Sequence, residues 1–174
     1  MADNYISDVY GYKVFCMKNL YNKKLSTYFG MGRTTPWNST ETVPPIANSD
    51  ESYLYELKAL KQADEVFYAI PDDENGTVEN MGQKYRLTNS LSEVLAARSH
   101  HMYYKTTLHY DEFPLGTFRQ IGLYVGVERT SSDADILYYP ADVSSLGDLI
   151  VINNRPPIAR SSDQKEVIEF IIEI

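Results

Sequence analysis

The chain has 174 residues, and its 16 Lys and Arg against 24 Asp and Glu leave a net charge of −8 with the histidines neutral. That acidic balance argues against a nucleic-acid protein, whose phosphate-facing surface must be basic, and against a binder of anionic membranes. A chain with 43% hydrophobic and 23% charged residues is globular rather than disordered, its length suits one domain over residues 1–174, and no apolar run reaches the roughly 18 residues of a membrane span.

The run from Tyr10 to Met17 is apolar and partly alternating, which predicts a strand. Leu25 to Met31, aromatic and β-branched, predicts another. Arg33-Thr34-Thr35-Pro36-Trp37 then opens a polar connection through Pro44-Pro45 to Asp50. Ser49-Asp50-Glu51 can start a helix, with Tyr53, Leu54, Leu57, Leu60 and Lys61 at helical spacing and an end near Gln62. Val66 to Ile70 predicts a strand, Asp72 to Gly76 a turn, and Lys84 to Leu87 a further strand. Ser90-x-x-Glu93 reads as a capping box opening a short helix from Leu91 to Ser99. His101 to Asp111 and Arg119 to Val127 alternate clearly, and the Phe113-Pro114-Leu115-Gly116 turn between them predicts an antiparallel hairpin. Ile136 to Tyr139, Leu149 to Asn153 and Lys165 to Ile174 complete the strands, the last with Ile168, Phe170, Ile172 and Ile174 on one face. Together these elements predict a mainly β fold with two short helices in connections, an antiparallel β-sandwich.

No constellation of catalytic residues emerges. The chain lacks G-x-S-x-G, and Cys16, its single cysteine, sits in the apolar run Val14-Phe15-Cys16-Met17 as inert packing and excludes an internal disulfide. The start MADNYISDVYGYK has no basic stretch before an apolar core, so no secretory leader is expected, and the Asn38-Ser39-Thr40 and Asn75-Gly76-Thr77 sequons are read as chance. His100 and His101 are adjacent and would point to opposite faces of a strand, while His101 and His109 lie eight residues apart, roughly 26 Å at about 3.3 Å per residue. No metal site and no cofactor are predicted. The acidic turn at Asp72 lacks the spacing of a calcium loop. Gly30-Met31-Gly32 is not a phosphate cradle, since no third glycine opens a helix; it is read as a place where two backbones, or a backbone and an aromatic ring, approach closely.

What remains points to assembly. The 15 tyrosines far outnumber the other aromatics, and tyrosine is enriched at interfaces as well as in strands. Arg33 and Trp37, of the types richest in binding hot spots, flank a proline turn. Asn154-Arg155-Pro156-Pro157-Ile158 is a stiff extended bend, because each proline fixes its own φ and restricts its predecessor. Arg33, Trp37, Arg155, Pro156, Pro157 and Ile158 are therefore the candidate partner-interface residues, whether as rigid corners or as contacts.

Three of these segments recur in the same order in one family. Phe29-Gly-x-Gly-Arg-x-x-Pro-Trp37 with Pro44-Pro45, Phe118-Arg-Gln-Ile121, and Asn154-Arg-Pro-Pro-Ile158 followed by Asp163-Gln-x-Glu166 give a chain that resembles a short member of the dimeric baseplate wedge subunit family of T-even-type contractile-tail phages. The resemblance covers about Leu25 to Pro45 and Phe118 to Ile174 and is loose between residues 50 and 117. It implies a β-sandwich with helices in long loops, a homodimer attached to other baseplate wedge or tail-fibre proteins, no catalytic role and no cofactor. It also implies a place in the virion tail baseplate after assembly in the host cytoplasm, and a rigid module that shifts as a body when the sheath contracts. Large insertions of the T-even member are missing, so their contacts do not carry over. An alternative of another class is a receptor- or carbohydrate-binding β-sandwich of a tail fibre, with tyrosines and Trp37 stacking on sugars; against it, the aromatics are spread along predicted strands. An enzyme such as a wall hydrolase would need a constellation this sequence lacks.

Overall fold

The computed structural model describes residues 9–38, 43–110, 112, 115–130 and 134–174. The elements run α1 (Tyr10–Asn22), β1 (Thr27–Gly32), β2 (Ala59–Gln62), β3 (Glu65–Pro71), β4 (Val78–Asn80), β5 (Gln83–Thr88), α2 (Leu91–Ala97), β6 (His101–Leu108), β7 (Gly116–Val125), β8 (Glu128–Arg129), β9 (Ile136–Tyr138), β10 (Val143–Ser145), β11 (Asp148–Arg160) and β12 (Glu166–Glu173). Among the described residues the chain is thus mainly β with two α-helices, and its paired strands are antiparallel, the class the sequence predicts. It divides into two compact units, one of Met1–Asn22, Glu65–Lys105 and Glu169–Ile174, the other of Lys23–Asp64 and Thr106–Ile168.

The first unit carries helix α1 and most of the sheet β12-β6-β3-β5-β4. Residues 10 to 17 are helical rather than extended. Tyr10, Val14, Met17 and Tyr21 recur at helical spacing: Met17 is fully buried, Tyr21 stacks on Tyr68 with ring centroids 4.7 Å apart, and the Tyr10 hydroxyl lies 3.1 Å from the Val94 and Ser99 carbonyls. The same residues also alternate, and the packing of the wider-spaced row decides. Cys16, expected in a core, is half-buried on this helix. Helix α2 starts where predicted, with Ser90 Oγ accepting from the Glu93 N–H, but only half of the capping box forms. The Glu93 carboxylate turns instead to Arg86, and the Ser90 N–H donates to Thr88 Oγ1. The predicted turn after β3 is present, with Asp72 Oδ1 accepting from the N–H groups of Glu74 and Asn75.

The second unit is built on the sheet β11-β7-β1-β2-β9 and the small sheet β10-β8. The expected hairpin of the two clearest strands does not form: β6 pairs with β3, whereas β7 lies between β1 and β11. The turn proposed to join them lies largely outside the described residues, as does the Asn38 sequon beyond Asn38 itself. Alternation fixes which face of a strand is buried, not which neighbour it pairs with.

Register places a row of small residues across the centre of this sheet. Tyr28, Gly30 and Gly32 of β1 lie opposite Tyr124, Gly122 and Gln120 of β7, and Ile152 and Asn154 of β11 continue the Gly122 and Gln120 rows. Directly opposed residues share a face. On that face lies the segment 51–58, which forms no helix, in contrast to the expected helix from Ser49 to Gln62. Leu54 and Leu57 are buried and join Tyr28, Leu60, Tyr124 and Leu137 in one core, while Tyr53 and Tyr55 stay exposed. The segment's backbone is held by side chains of β7: the Leu54 N–H donates to the Tyr124 hydroxyl at 2.8 Å, and the Tyr55 N–H to Gln120 Oε1 at 2.9 Å. Burial pushes the Tyr124 hydroxyl up to about 12, so it stays protonated throughout the neutral range.

The glycines make this layering possible, as the reading of Gly30-Met31-Gly32 expects. A Cβ on Gly30 would sit 2.9 Å from the Tyr124 ring, and one on Gly32 only 2.6 Å from the Tyr55 carbonyl oxygen. A Cβ on Gly122 would meet Leu149 at 2.7 Å and Leu54 at 3.0 Å. Gly32→Ala should therefore cost about 1–3 kcal/mol by overpacking against backbone that cannot yield. Gly11→Ala, whose Cβ would meet nothing in α1, should leave stability unchanged or slightly raised. Tyr124→Phe should cost about 1–3 kcal/mol, because it leaves the Leu54 N–H buried without an acceptor. Thermal unfolding of the three variants beside the parent chain checks all three expectations.

Candidate partner-binding groove

Arg33 follows β1 directly and takes a left-handed backbone, φ +49, with its N–H donating to the Tyr55 carbonyl at 2.6 Å. This turns the chain so that the Arg33 guanidinium lies over the Trp37 ring at 4.1 Å and the Tyr55 ring at 5.1 Å. Arg33 Nη2 also donates to the Pro36 carbonyl at 3.2 Å, closing the proline turn on itself. Trp37 is fixed from its other end, where Nε1–H donates to the Arg155 carbonyl at 3.1 Å. The sequence-predicted residues Arg33, Trp37 and Arg155 are thus brought together, Arg155 through its backbone.

Pro156 and Pro157 do not form a corner between elements. They lie inside β11, where the register with β7 shifts between Asn154 and Ile158. β11 is an edge strand, and an edge-strand bulge is a place where prolines cost no ladder hydrogen bond. Both prolines are exposed, and Ile158 is half-buried.

The rest of the groove comes from residues that sequence reasoning did not single out as site residues. Gln120, buried at the centre of the Phe118-Arg119-Gln120-Ile121 motif, accepts from Tyr55 and donates to Asn154 Oδ1 at 2.9 Å, and Asn154 Nδ2 donates to the Pro45 carbonyl at 3.1 Å. Arg119, also buried, donates to the Thr34 carbonyl. These contacts tie the two polar loops to the sheet and leave a groove of about 530 Å³, walled by Arg33, Trp37, Tyr53, Tyr55, Ile46 and Asn154. Ile46 is 97% exposed, Tyr53 65% and Tyr55 52%. The signal that could have found Tyr53 and Tyr55 is their spacing of two, which sets them on the side opposite Leu54; the competing helical spacing masked it.

Glu56 holds the floor of the loop. Its carboxylate accepts from the Thr35 N–H at 2.9 Å, the Thr34 N–H at 2.8 Å and the Thr34 hydroxyl at 3.0 Å. The Thr35 amide, ahead of the Thr34 donors, holds this carboxyl below the ordinary glutamate range. Glu56 is itself left-handed, φ +50, a conformation a non-glycine residue keeps only where its surroundings over-determine it. A carboxylate whose folded pKa is depressed stabilises above its unfolded pKa, and loses that contribution as pH falls through the folded value. Trp37 is the single tryptophan, so its fluorescence reports this loop. Its emission should hold steady as pH falls to the ordinary glutamate value of about 4.3 and change only below it. Glu56→Gln should show the altered emission already at neutral pH and lack the acid step.

A sequence model of the family described as "Baseplate wedge 3 tail fiber network component" matches residues 8–174. "Virion protein 3" of Enterococcus phage phiEF24C is 29% identical over 164 residues, which cover 92% of this chain and 90% of that protein. The baseplate-wedge resemblance carried by the three ordered motifs is borne out, and the match also takes in the middle of the chain, where those motifs are silent. This chain belongs to the baseplate wedge 3 tail fiber network component family, a family of phage structural proteins.

Proposed function

We propose that the chain, residues 1–174 acting as one wedge module, is a non-enzymatic subunit of a contractile phage tail baseplate that joins wedge and tail-fibre proteins and forms a homodimer. On this reading it is assembled in the host cytoplasm and is rearranged with the baseplate on contraction. The observation that supports it most is the groove around Arg33. Its Arg, Trp and Tyr side chains are of the hot-spot types, and before any partner arrives Arg33 and Trp37 are held by side-chain hydrogen bonds, while Tyr55 is held by its backbone N–H and by the Arg33 guanidinium over its ring. Pre-set side chains lose little conformational freedom on binding, so more of the contact energy remains as affinity. Arg33, Trp37 and the Arg155 to Ile158 bulge form the dimer or wedge contact in this reading. A rigid sheet bearing such a contact can move as a body when the assembly switches.

A second reading draws on a specific observation. Trp37, Tyr53 and Tyr55 gather at one groove rather than scattering along strands, the arrangement a sugar-stacking site also uses. Phage carrying Arg33→Ala with Tyr55→Ala separates the two. The first reading expects a chain of near-parental melting temperature that is depleted from purified tails by roughly tenfold or more, in line with a hot-spot loss of at least 2 kcal/mol. Normal incorporation together with lost binding to host wall glycans would favour the second. Normal incorporation with unchanged glycan binding would overturn both.

A further inference from the structure

The first unit holds a cluster of a different chemistry. His100 precedes β6, His101 opens it, and Glu173 ends the neighbouring strand β12. The Ile174 N–H donates to the His100 carbonyl at 2.9 Å, which brings the two strand ends level. The adjacent histidines do not point apart, as a regular strand would require: because His100 stands before the strand begins, its ring stacks on that of His101, with centroids 4.7 Å apart. His100 Nε2 lies 2.8 Å from Glu173 Oε1, and one ligand atom from each of the three residues lies within 4.8 Å of the others.

Hydrogen bonding sets the tautomer of His101. The Ser99 hydroxyl spends its one proton on the Ala69 carbonyl at 2.6 Å, so toward His101 Nδ1, at 3.4 Å, it acts as acceptor. Nδ1 therefore carries the proton, and Nε2 keeps its lone pair. A buried second partner that fixes a ring and frees the opposite nitrogen is the arrangement found behind metal-ligating histidines.

From this juxtaposition we propose that His100, His101 and Glu173 form a binding site for a borderline-soft divalent cation of the Zn²⁺ type. Two imidazoles and a carboxylate are a ligand set that Zn²⁺ accepts, with water in the fourth position. Bonds of about 2.0–2.1 Å to a tetrahedral ion place ligand atoms roughly 3.3 Å apart, so the cluster needs only a small closing movement. His100 shifts the proton it shares with Glu173 from Nε2 to Nδ1 and gives the Nε2 lone pair to the metal. Lys13, whose ammonium donates to the Ile174 carbonyl nearby, opposes a cation here and limits the affinity. A bound ion would clamp the end of β12 to the start of β6.

Titration of the full metal-free chain with ZnCl₂, followed by calorimetry, tests the site, with CoCl₂ as a spectroscopic probe. The expected result is one saturable Zn²⁺ per chain, a Co²⁺ visible spectrum of four-coordinate intensity, and a raised melting temperature that EDTA reverses. His100→Ala and Glu173→Gln, both on solvent-accessible side chains, should each weaken uptake by about tenfold or more, while His109→Ala should leave it unchanged. Absence of saturable uptake, or uptake that His100→Ala and Glu173→Gln leave intact, would overturn the proposal.

Discussion

The second unit depends on one constraint: the segment 51–58 forms no strand of its own, and part of its backbone takes its acceptors from side chains of the sheet it lies on. Tyr124 and Gln120, two residues on the same face of β7, supply the acceptors for consecutive N–H groups of that segment. Without them the N–H groups of Leu54 and Tyr55 would be covered and unpaired, a loss of about 1–3 kcal/mol each. The arrangement needs the sheet surface to be flat at this place. Gly30, Gly32 and Gly122 provide that: a methyl group at Gly32 would collide with the Tyr55 carbonyl of the segment, and one at Gly30 or Gly122 would press on Tyr124 or Leu149 of the sheet and crowd Leu57 or Leu54 above it. Apolar burial of Leu54 and Leu57 then follows from geometry already set.

The groove is a consequence of the same layering. Once Leu54 points into the core, Tyr53 and Tyr55 point away, and Tyr55 meets Arg33 where the chain leaves β1. The left-handed backbones of Arg33 and Glu56 are held by hydrogen bonds to Tyr55 and to Thr34 and Thr35. The sheet offers little else to a partner along its borders. β9 is only three residues long, and β11 carries the exposed Pro156-Pro157 bulge. Short and bulged edges resist strand addition.

The class of fold, most strand positions, the helix at Leu91 and the turn at Asp72 were legible in local patterns. Three things were not, each for a physical reason. Residues 10 to 17 satisfy both periods, and only the burial of Met17 and the Tyr21–Tyr68 stack choose the helix. Residues 51–58 carry leucines at helical spacing, yet side chains 70 and 65 residues away along the chain capture the N–H groups of Leu54 and Tyr55. β6 and β7 alternate cleanly, but pairing is decided by long-range register rather than by the strands themselves. Of the candidate site, Arg33, Trp37 and the Asn154 to Ile158 stretch were visible as residue types in stiff contexts. Gln120 and Glu56 act through hydrogen bonds to loop backbone, which leave no periodic trace. The stacked pair His100 and His101 was hidden by the assumption that both lie within one regular strand.

Family membership places the chain among phage baseplate and tail-fibre network proteins, and the proposed role of the groove is to join that network. The most direct measurement is a cryo-electron microscopy reconstruction of the uncontracted baseplate at side-chain resolution. Side chains of a neighbouring subunit are expected to fill the groove between Trp37, Tyr53 and Tyr55, with Arg33 still lying over Trp37. A subunit seated in the baseplate with that groove open to solvent would contradict it.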